Sequence, residues 1–379
     1  VNHLPVGHSS GIADMPDSSS THMSDLEQDS ITMSNPLVTF SGSRIAVVLP
    51  CYRVKAHILD VLASIPPLVA IIVVVDDACP EGSGALVQSE CNDPRVRVHY
   101  NTANQGVGGA VLNGYRAAID AGADVIVKID GDGQMDPRLI EDFVSPIISG
   151  EADYTKGNRF FDLTNIARMP PLRIFGNAVL SFMAKLSTGY WTLFDPTNGY
   201  TAIHADAAKR IPFDKVSKRY FFETDLLFRL NTLRAVAVDV PMDALYGDEV
   251  SNLKISRVLG EFLAKHARNL GKRIFYNYFL RDLSLASLQL VAGILLMVGG
   301  SAFGAQAWFH SMQAGISTPA GTVMLSALPI ILGLQFVLAF IGYDIAAVPS
   351  RPLHHRKRGL VIVRAHPDQH LKSDVDSRE

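Results

Sequence analysis

Between Leu283 and Pro349 the chain runs for 67 residues with one formal charge, Asp344. Two stretches in this block, 283–304 and 323–348, each exceed the roughly 20 residues needed to cross the hydrocarbon core of a bilayer. The block therefore predicts two transmembrane helices. The loop between them, 305–322, has no Lys or Arg. Both outer flanks are basic: Lys254, Arg257, Lys265, Arg268, Lys272, Arg273 and Arg281 before, and Arg351, Arg356, Lys357 and Arg358 after. Positive charge beside membrane spans stays on the cytoplasmic side. The expectation is a helical hairpin with both flanks cytoplasmic, and Trp308 in its outer loop suits the membrane interface.

The chain averages, 48% apolar and 19% charged, mix this block with an ordinary globular region. They exclude a disordered, collagenous or disulfide-scaffold protein. The net charge of −3 is also a mixture. Residues 1–43 carry Asp14, Asp17, Asp25, Glu27 and Asp29 with no Lys or Arg, and show no apolar periodicity. They read as a disordered tail. No basic segment followed by an apolar one opens the sequence, so the globular part is expected in the cytosol. Cys51, Cys79 and Cys91 are an odd, sparse set that fits a reducing compartment. The segment 251–282 spaces apolar residues at helical intervals with bases between them. It is expected to form juxtamembrane helices lying among anionic headgroups. Residues 350–379 are expected to be a cytoplasmic tail.

The region 44–250 alternates strands and helices. A buried strand is predicted at 44–49, further strands at 69–75, 96–100 and 124–129, and helices at 55–64, 106–121, 137–148, 172–186 and 222–233. This alternation predicts an α/β domain with a mostly parallel sheet covered by helices on both faces. Three of the strands end in chemically distinct groups: Pro50–Cys51–Tyr52, Asp76–Asp77 and Asp130–Gly131–Asp132. Ligands of open α/β sheets bind outside the carboxyl ends of the strands, so these groups should meet in one crevice. Asp130 and Asp132 flank a glycine that lets both carboxylates face one ion, and Gln134 adds a neutral oxygen. Such hard oxygen donors suit Mg²⁺ or Mn²⁺. The run NQGVGGA (104–110) lacks the third glycine of a dinucleotide fingerprint, and its glycines are expected to allow close helix–sheet packing.

The ordered set VVLPCY (47–52), VVVDDACP (73–80), NQGVGGAVLNGYRAA (104–118), DGDGQMDP (130–137), KGNRF (156–160) and DPTNGY (195–200), followed by a membrane hairpin, resembles the family-2 glycosyltransferases of GT-A fold. Within these it is similar to the polyprenyl-phosphate glycosyltransferases, the group of dolichyl-phosphate mannose synthase and bactoprenol glucosyltransferases. The resemblance covers residues 44 to about 247. It implies that Asp77 bonds the nucleotide base, with Pro50 and Tyr52 lining the same pocket. It implies that Asp130, Asp132 and Gln134 hold the metal that binds the diphosphate. Arg159 and Arg173 resemble phosphate-binding arginines, and Asp195 corresponds to an acid required for function. Two departures stand out: Arg53–Val54 replace the family's Asn–Glu, and Thr201 stands where arginine commonly follows the aromatic residue.

The implied activity is a metal-dependent, inverting transfer of a sugar from a nucleotide sugar to undecaprenyl or dolichyl phosphate. A lipid phosphate is largely dianionic at neutral pH and needs little help from a base. What the site must supply is positioning and cations. A hydroxyl acceptor, the alternative, requires a base, and Asp225 is then the leading candidate. A non-catalytic membrane scaffold is a third reading, which the intact acidic motifs disfavour. The resemblance further implies an inner-membrane protein of a bacterium with no nucleic-acid partner. A small hairpin under a large domain also suits a homo-oligomer.

Overall fold

The computed structural model describes residues 42–161, 171–243 and 255–354, with side chains from 174 and 260 onward in the latter two. The expected tail as far as residue 41, the Arg173 and Arg257 side chains, Lys254 and everything from 355 onward lie outside the described residues.

Among the described residues seven strands form one sheet in the order β3-β2-β1-β4-β6-β5-β7. Strands β1 (Ile45–Cys51), β2 (Val69–Asp76), β3 (Val96–Tyr100) and β4 (Val125–Lys128) are mutually parallel. They coincide with the four expected strands. Three further strands extend the sheet beyond β4. β6 (Thr201–His204) runs antiparallel to β4 and to β5 (Tyr154–Asn158), and β7 (Ala237–Pro241) is parallel to β5. Their sequences, YTKGN, TAIH and AVDVP, are short and interrupted by polar residues, Gly or Pro, so neither strand propensity nor alternation announces them.

Helices cover both faces. Helices α1 (Ile58–Ser64) and α4 (Ile140–Ile148) pack with Val47, Leu49, Ile72 and Val127 on one face. Helix α2 (Ser83–Glu90) follows β2. Helices α3 (Val107–Asp120) and α7 (Phe222–Leu233) pack with Val48, Val73, Ile126 and Tyr154 on the other. The close approach expected of the glycines in 104–110 is not to the sheet: Gly106 and Gly108 press on Lys218 and Phe222, and it is Gly114 further along α3 that meets a strand, where a Cβ would stand 2.3 Å from Val48 Cγ1. A side chain here would force strain of about 1–3 kcal/mol into the core. Between β5 and β7 the chain also forms α5 (Pro171–Thr188) and the short α6 (Ala205–Ala208).

Helix α8 (Ile255–Phe275) follows, then a π-helical turn, Tyr276–Arg281. A helix forms in the segment expected to lie beside the membrane block. Its buried stripe is polar: His266, Asn269, Arg273 and Asn277. His266 Nδ1 is 2.8 Å from Ser187 Oγ of α5, Asn269 Nδ2 donates to Asp225 at 3.1 Å, and Asn277 Nδ2 donates to Asn231 at 3.0 Å. Its apolar residues Leu263 and Phe275 are exposed instead. Hydrogen bonds fix this helix to α5 and α7, joined by the edge-on contact of Phe262 with Phe221.

The two apolar helices form as expected but with shifted ends: α9 is Leu285–Ala314 and α10 is Ala320–Ala346. α9 runs ten residues past the expected end at 304. The stretch AQAWFHSMQA is polar but holds no breaker before Gly315, which caps the helix at φ 64°. The helices meet through small residues: a Cβ on Gly293 would lie 2.9 Å from the Gly333 carbonyl, and one on Gly300 2.9 Å from that of Ser326. Close backbone approach of this kind holds apolar helices together in lipid.

Both ends of the hairpin attach to the α/β domain. At the end of α10 the Asp344 carboxylate accepts from Arg273 at 2.5 and 2.9 Å and from Trp191 Nε1 at 2.8 Å, and also from the Tyr278 hydroxyl. Beyond it, the Leu353 amide donates to Asp153 at 2.8 Å and His354 Nδ1 lies 2.8 Å from the same carboxylate. The His354 ring stacks on His204 at 4.4 Å.

Replacing Asp344 by Leu leaves Arg273 buried without its counter-charge. The expected cost is about 3–5 kcal/mol, read as a lower melting temperature in detergent. Pairing it with Arg273→Met should restore most of the loss. A second expectation concerns pH. Burial pushes the imidazoles of His204 and His266 down to about 4, with the nearby His354 adding to the effect on His204. The unfolded chain takes up these protons near 6.5 and the folded chain only near 4. Stability is therefore complete above about pH 6.5 and falls as pH drops through that window. His266→Gln should flatten the fall in melting temperature between pH 7 and 4.5.

Candidate active site

The carboxyl ends of β1, β2 and β4 open into one cleft of about 390 Å³. It is lined by Pro50, Cys51, Tyr52, Val54, Asp77, Asn104, Gly106, Val107, Ala110, Asp130, Gly131, Asp132, Arg219 and Tyr220. Five residues picked out from the sequence, Pro50, Tyr52, Asp77, Asp130 and Asp132, thus share one cavity, as the strand topology requires. Arg219 and Tyr220 were missed. They arrive from the turn before α7, where Gly106 presses so close that a Cβ would lie 2.7 Å from the Lys218 carbonyl. Tyr52 and Tyr220 stand 43% and 58% exposed, offering aromatic faces to a planar ring.

The two acids closing β2 do different work. Asp76 accepts from the amides of Cys79 and Gly84, both at 2.7 Å, and braces the turn into α2. Asp77, also buried, holds the NQG loop: Oδ1 accepts from Asn101 Nδ2 at 2.7 Å and the Gln105 amide at 2.9 Å, and Oδ2 from the Gly106 amide at 2.8 Å. A carboxylate offers about four acceptor directions, so Asp77 has little capacity beyond this loop. The cleft is also bordered by backbone strain: Arg53 and Ala78 hold left-handed conformations at φ 60° and 53°, and Asp195 on the neighbouring loop at φ 49°. Non-glycine residues held in this way concentrate at functional sites.

The acidic turn after β4 is folded by Gly133 at φ 78° and by the Gln134 amide, which donates to Asp132 Oδ1 at 3.0 Å. Asp130 pairs with Lys128 Nζ at 2.7 Å. Among the described residues no three His, Cys, Asp or Glu side chains converge as a complete metal cage. The donor set is therefore two cleft-lining carboxylates with the nearby Gln134 amide oxygen. That set fits a hard divalent cation whose remaining ligands are water and phosphate oxygens.

Arg159 and Asp195 lie outside the cleft lining but meet each other. Arg159 Nε and a terminal nitrogen donate to the two Asp195 oxygens at 2.7 and 2.8 Å. Burial of Asp195 disfavours its charge, yet Arg159 and the adjacent Lys156 outweigh burial and hold its carboxyl below the usual range. Lys156, itself fully buried, donates to the Asp195 carbonyl. On β7, Asp239 accepts from the Phe194 amide at 2.8 Å and Asn158 Nδ2 at 3.0 Å, and burial pushes its carboxyl up to about 6.

The candidate base Asp225 is not in the cleft. It accepts from the Ser217 amide at 2.9 Å, Asn269 at 3.1 Å and Arg229 Nε at 3.2 Å, tying α7 to α8. Its carboxylate is spent on structure. Glu223, two residues before it on α7, has its carboxyl raised by burial, the charges of Lys128 and Lys156 opposing that rise.

Residues 46–211 match the model of the family described as Glycosyl transferase family 2. An undecaprenyl-phosphate mannosyltransferase of Micrococcus luteus is 32% identical over 173 residues, covering 45% of this chain and 70% of that protein. A polyprenol monophosphomannose synthase of Mycolicibacterium smegmatis is 28% identical over 214 residues, 55% of this chain and 80% of that one. A solved structure of glucosyl-3-phosphoglycerate synthase from Mycobacterium tuberculosis with Mn²⁺ and UDP-glucose superposes with a TM-score of 0.48 at 20% identity, covering 61% of this chain and 80% of the other. The cleft at the strand ends with its acidic turn and the extent of the match to the Micrococcus protein lead to one conclusion: the chain belongs to glycosyltransferase family 2.

Proposed function

We propose that the protein transfers a sugar from a nucleotide sugar to a polyprenyl phosphate at the cytoplasmic face of a membrane, with a divalent metal and inversion at the anomeric carbon. The observation that carries this reading is a sugar-nucleotide-sized cleft on a domain bolted through Arg273 and Asp344 to two apolar helices. The acceptor class is supported by the relatives in Micrococcus and Mycolicibacterium, whose names specify polyprenyl phosphates or their products.

In this reading Tyr52 and Tyr220 flank the nucleotide base, and Asp77 shapes the pocket through the loop it holds. Asp130, Asp132 and Gln134 hold Mg²⁺ or Mn²⁺, which when bound neutralises the departing diphosphate. Asp195 fixes the plane of the Arg159 guanidinium, whose charge faces the acceptor phosphate. Arg173 adds to that role. No residue need serve as a base, because the phosphate acceptor reaches the site as a nucleophile. The engagement of Asp225 and Asp195 in ion pairs agrees with this. One in-line displacement by the phosphate oxygen inverts the anomeric carbon.

The membrane placement follows from length and charge. α9 and α10 would extend about 45 and 40 Å, more than the hydrocarbon core requires. Both hairpin ends meet the α/β domain, so that domain shares a side with the basic residues Arg268, Lys272, Arg281 and Arg351. The opposite loop has no Lys or Arg, which directs the domain to the cytoplasm. Phe175, Val179 and Phe182 on α5 stand exposed at helical spacing, and Phe182 packs edge-on against Trp191, the donor to Asp344. This stripe would rest on the bilayer beside the hairpin, with the bases of α8 near anionic headgroups.

The purified protein, given Mg²⁺ or Mn²⁺, undecaprenyl or dolichyl phosphate and a panel of sugar nucleotides, is expected to form a lipid-linked sugar with at least one donor. No product from any donor would refute the reading. Asp132→Ala should lower transfer at least about a hundredfold with an unchanged melting temperature.

A further inference from the structure

The sheet changes character at its last register before the site. On the α3/α7 face, β4, β6 and β5 present Ile126, Ile203 and Tyr154, all part of the apolar core. Two residues nearer the cleft, the same strands present Lys128, Thr201 and Lys156. Thr201 is the register partner of Lys128 on one side and of Lys156 on the other, and Lys156 is in turn the partner of Asp239 on β7. Directly paired residues share a face of a sheet, so these side chains form one continuous row across four strands. Lys128, Thr201 and Lys156 are buried, at 1%, 3% and 0% exposure. Burying two ammonium groups is costly unless each has partners, so their presence at one level calls for a reason beyond packing.

Each lysine holds one half of the site. Lys128 pairs with Asp130 of the acidic turn at 2.7 Å. Lys156 donates to the Asp195 carbonyl, and its register partner Asp239 takes the Phe194 amide. The left-handed backbone at Asp195 is thus gripped on both sides, while Arg159 grips its carboxylate. Gly199, four residues on, lies against the first pair: a Cβ there would be 2.3 Å from Lys128 Nζ and 2.8 Å from Asp130 Oδ2.

We propose that Lys128 and Lys156 are positioning residues for the transfer reaction: Lys128 orients Asp130 for the metal–diphosphate half of the site, and Lys156 orients Asp195 and Arg159 for the acceptor half. Neither ammonium touches a substrate; each acts through the carboxylate or loop it holds. The inference rests on the proposed function for the identity of the two halves. Lys128 acts chiefly through geometry, since its ammonium repels the cation that Asp130 would hold. The lysine fixes the carboxylate's orientation, and its charge lies beneath a site meant for an anionic diphosphate.

The test is a separation of constants in the full-length protein in detergent. Lys128→Met is expected to weaken calorimetric binding of UDP or GDP in Mn²⁺, whichever binds wild type more tightly, by about tenfold. It should raise the KM for the sugar nucleotide similarly and leave the KM for undecaprenyl phosphate within about twofold. Lys156→Met should do the reverse, raising the KM for undecaprenyl phosphate and sparing nucleotide binding. Should Lys156→Met fail to fold, Asp239→Asn takes its place with the same expected rise. Equal shifts of both constants in both variants, or a fall in kcat alone, would overturn the proposal. The calorimetric arm keeps the two ideas apart. Nucleotide binding that depends on Lys128 supports its role even if polyprenyl phosphate is the wrong acceptor, and a wild type that binds neither nucleotide overturns both.

Discussion

One carboxylate, Asp344, sets how the two dissimilar halves of this protein meet. It is the single formal charge in the apolar block, and it receives donors from three segments: Arg273 of α8, Tyr278 of the π-helical turn and Trp191 after α5. A charge buried at the foot of an apolar helix is tolerable only when its acceptor directions are filled by well-placed donors. That requirement gives it directional authority. Apolar surfaces can slide over one another at little cost, whereas these bonds break if α10 rotates or shifts by a turn. The polar stripe of α8 extends the same logic to α5 and α7, through His266, Asn269 and Asn277.

Much of the fold was legible because β1, β2 and β4 are buried on both faces and therefore read as nearly unbroken apolar runs, while the exposed edge strand β3 shows as the alternation VRVHY. The strands β5, β6 and β7 were not, because the side chains they present at the site edge are Lys156, Thr201 and Asp239. A local reading takes these as signs of a loop. The site divided in the same way. Asp77, Asp130 and Asp132 announce themselves by following strong strands. Lys128 does not: within DVIVKI it looks like the polar position of an alternating strand, and the residues that crowd it, Gly199 and Thr201, come some seventy positions later. Thr201, flagged as a departure from the family pattern, is the middle of the lysine row.

α8 shows what spacing leaves out. Its apolar residues recur at helical spacing and mark a helix beside the membrane block, without naming what the helix packs on. The structure seats the helix on polar side chains whose partners, Ser187, Asp225, Asn231 and Asp344, are scattered over more than 150 residues. Hydrophobic periodicity identifies a helix well; it identifies the buried face only when burial is what fixes that helix. The bonds of Asp225 are hidden from the sequence for the same reason, since its neighbours there give no hint of Asn269.

The short strap at Leu353–His354 has a mechanical meaning. The hairpin leaves the α/β domain by the π-helical turn, returns at Asp344, and is tied again where Leu353 and His354 reach Asp153 at the opposite end of β5 from Arg159. A domain hung on one flexible linker could tumble over the bilayer and sample every height. One held at several separated points behaves as a tripod, with its working edge at a fixed elevation and bearing. In the proposed transfer to a phosphate tethered to a lipid, such rigidity would turn a three-dimensional search into a two-dimensional one, in which only the lipid has to move.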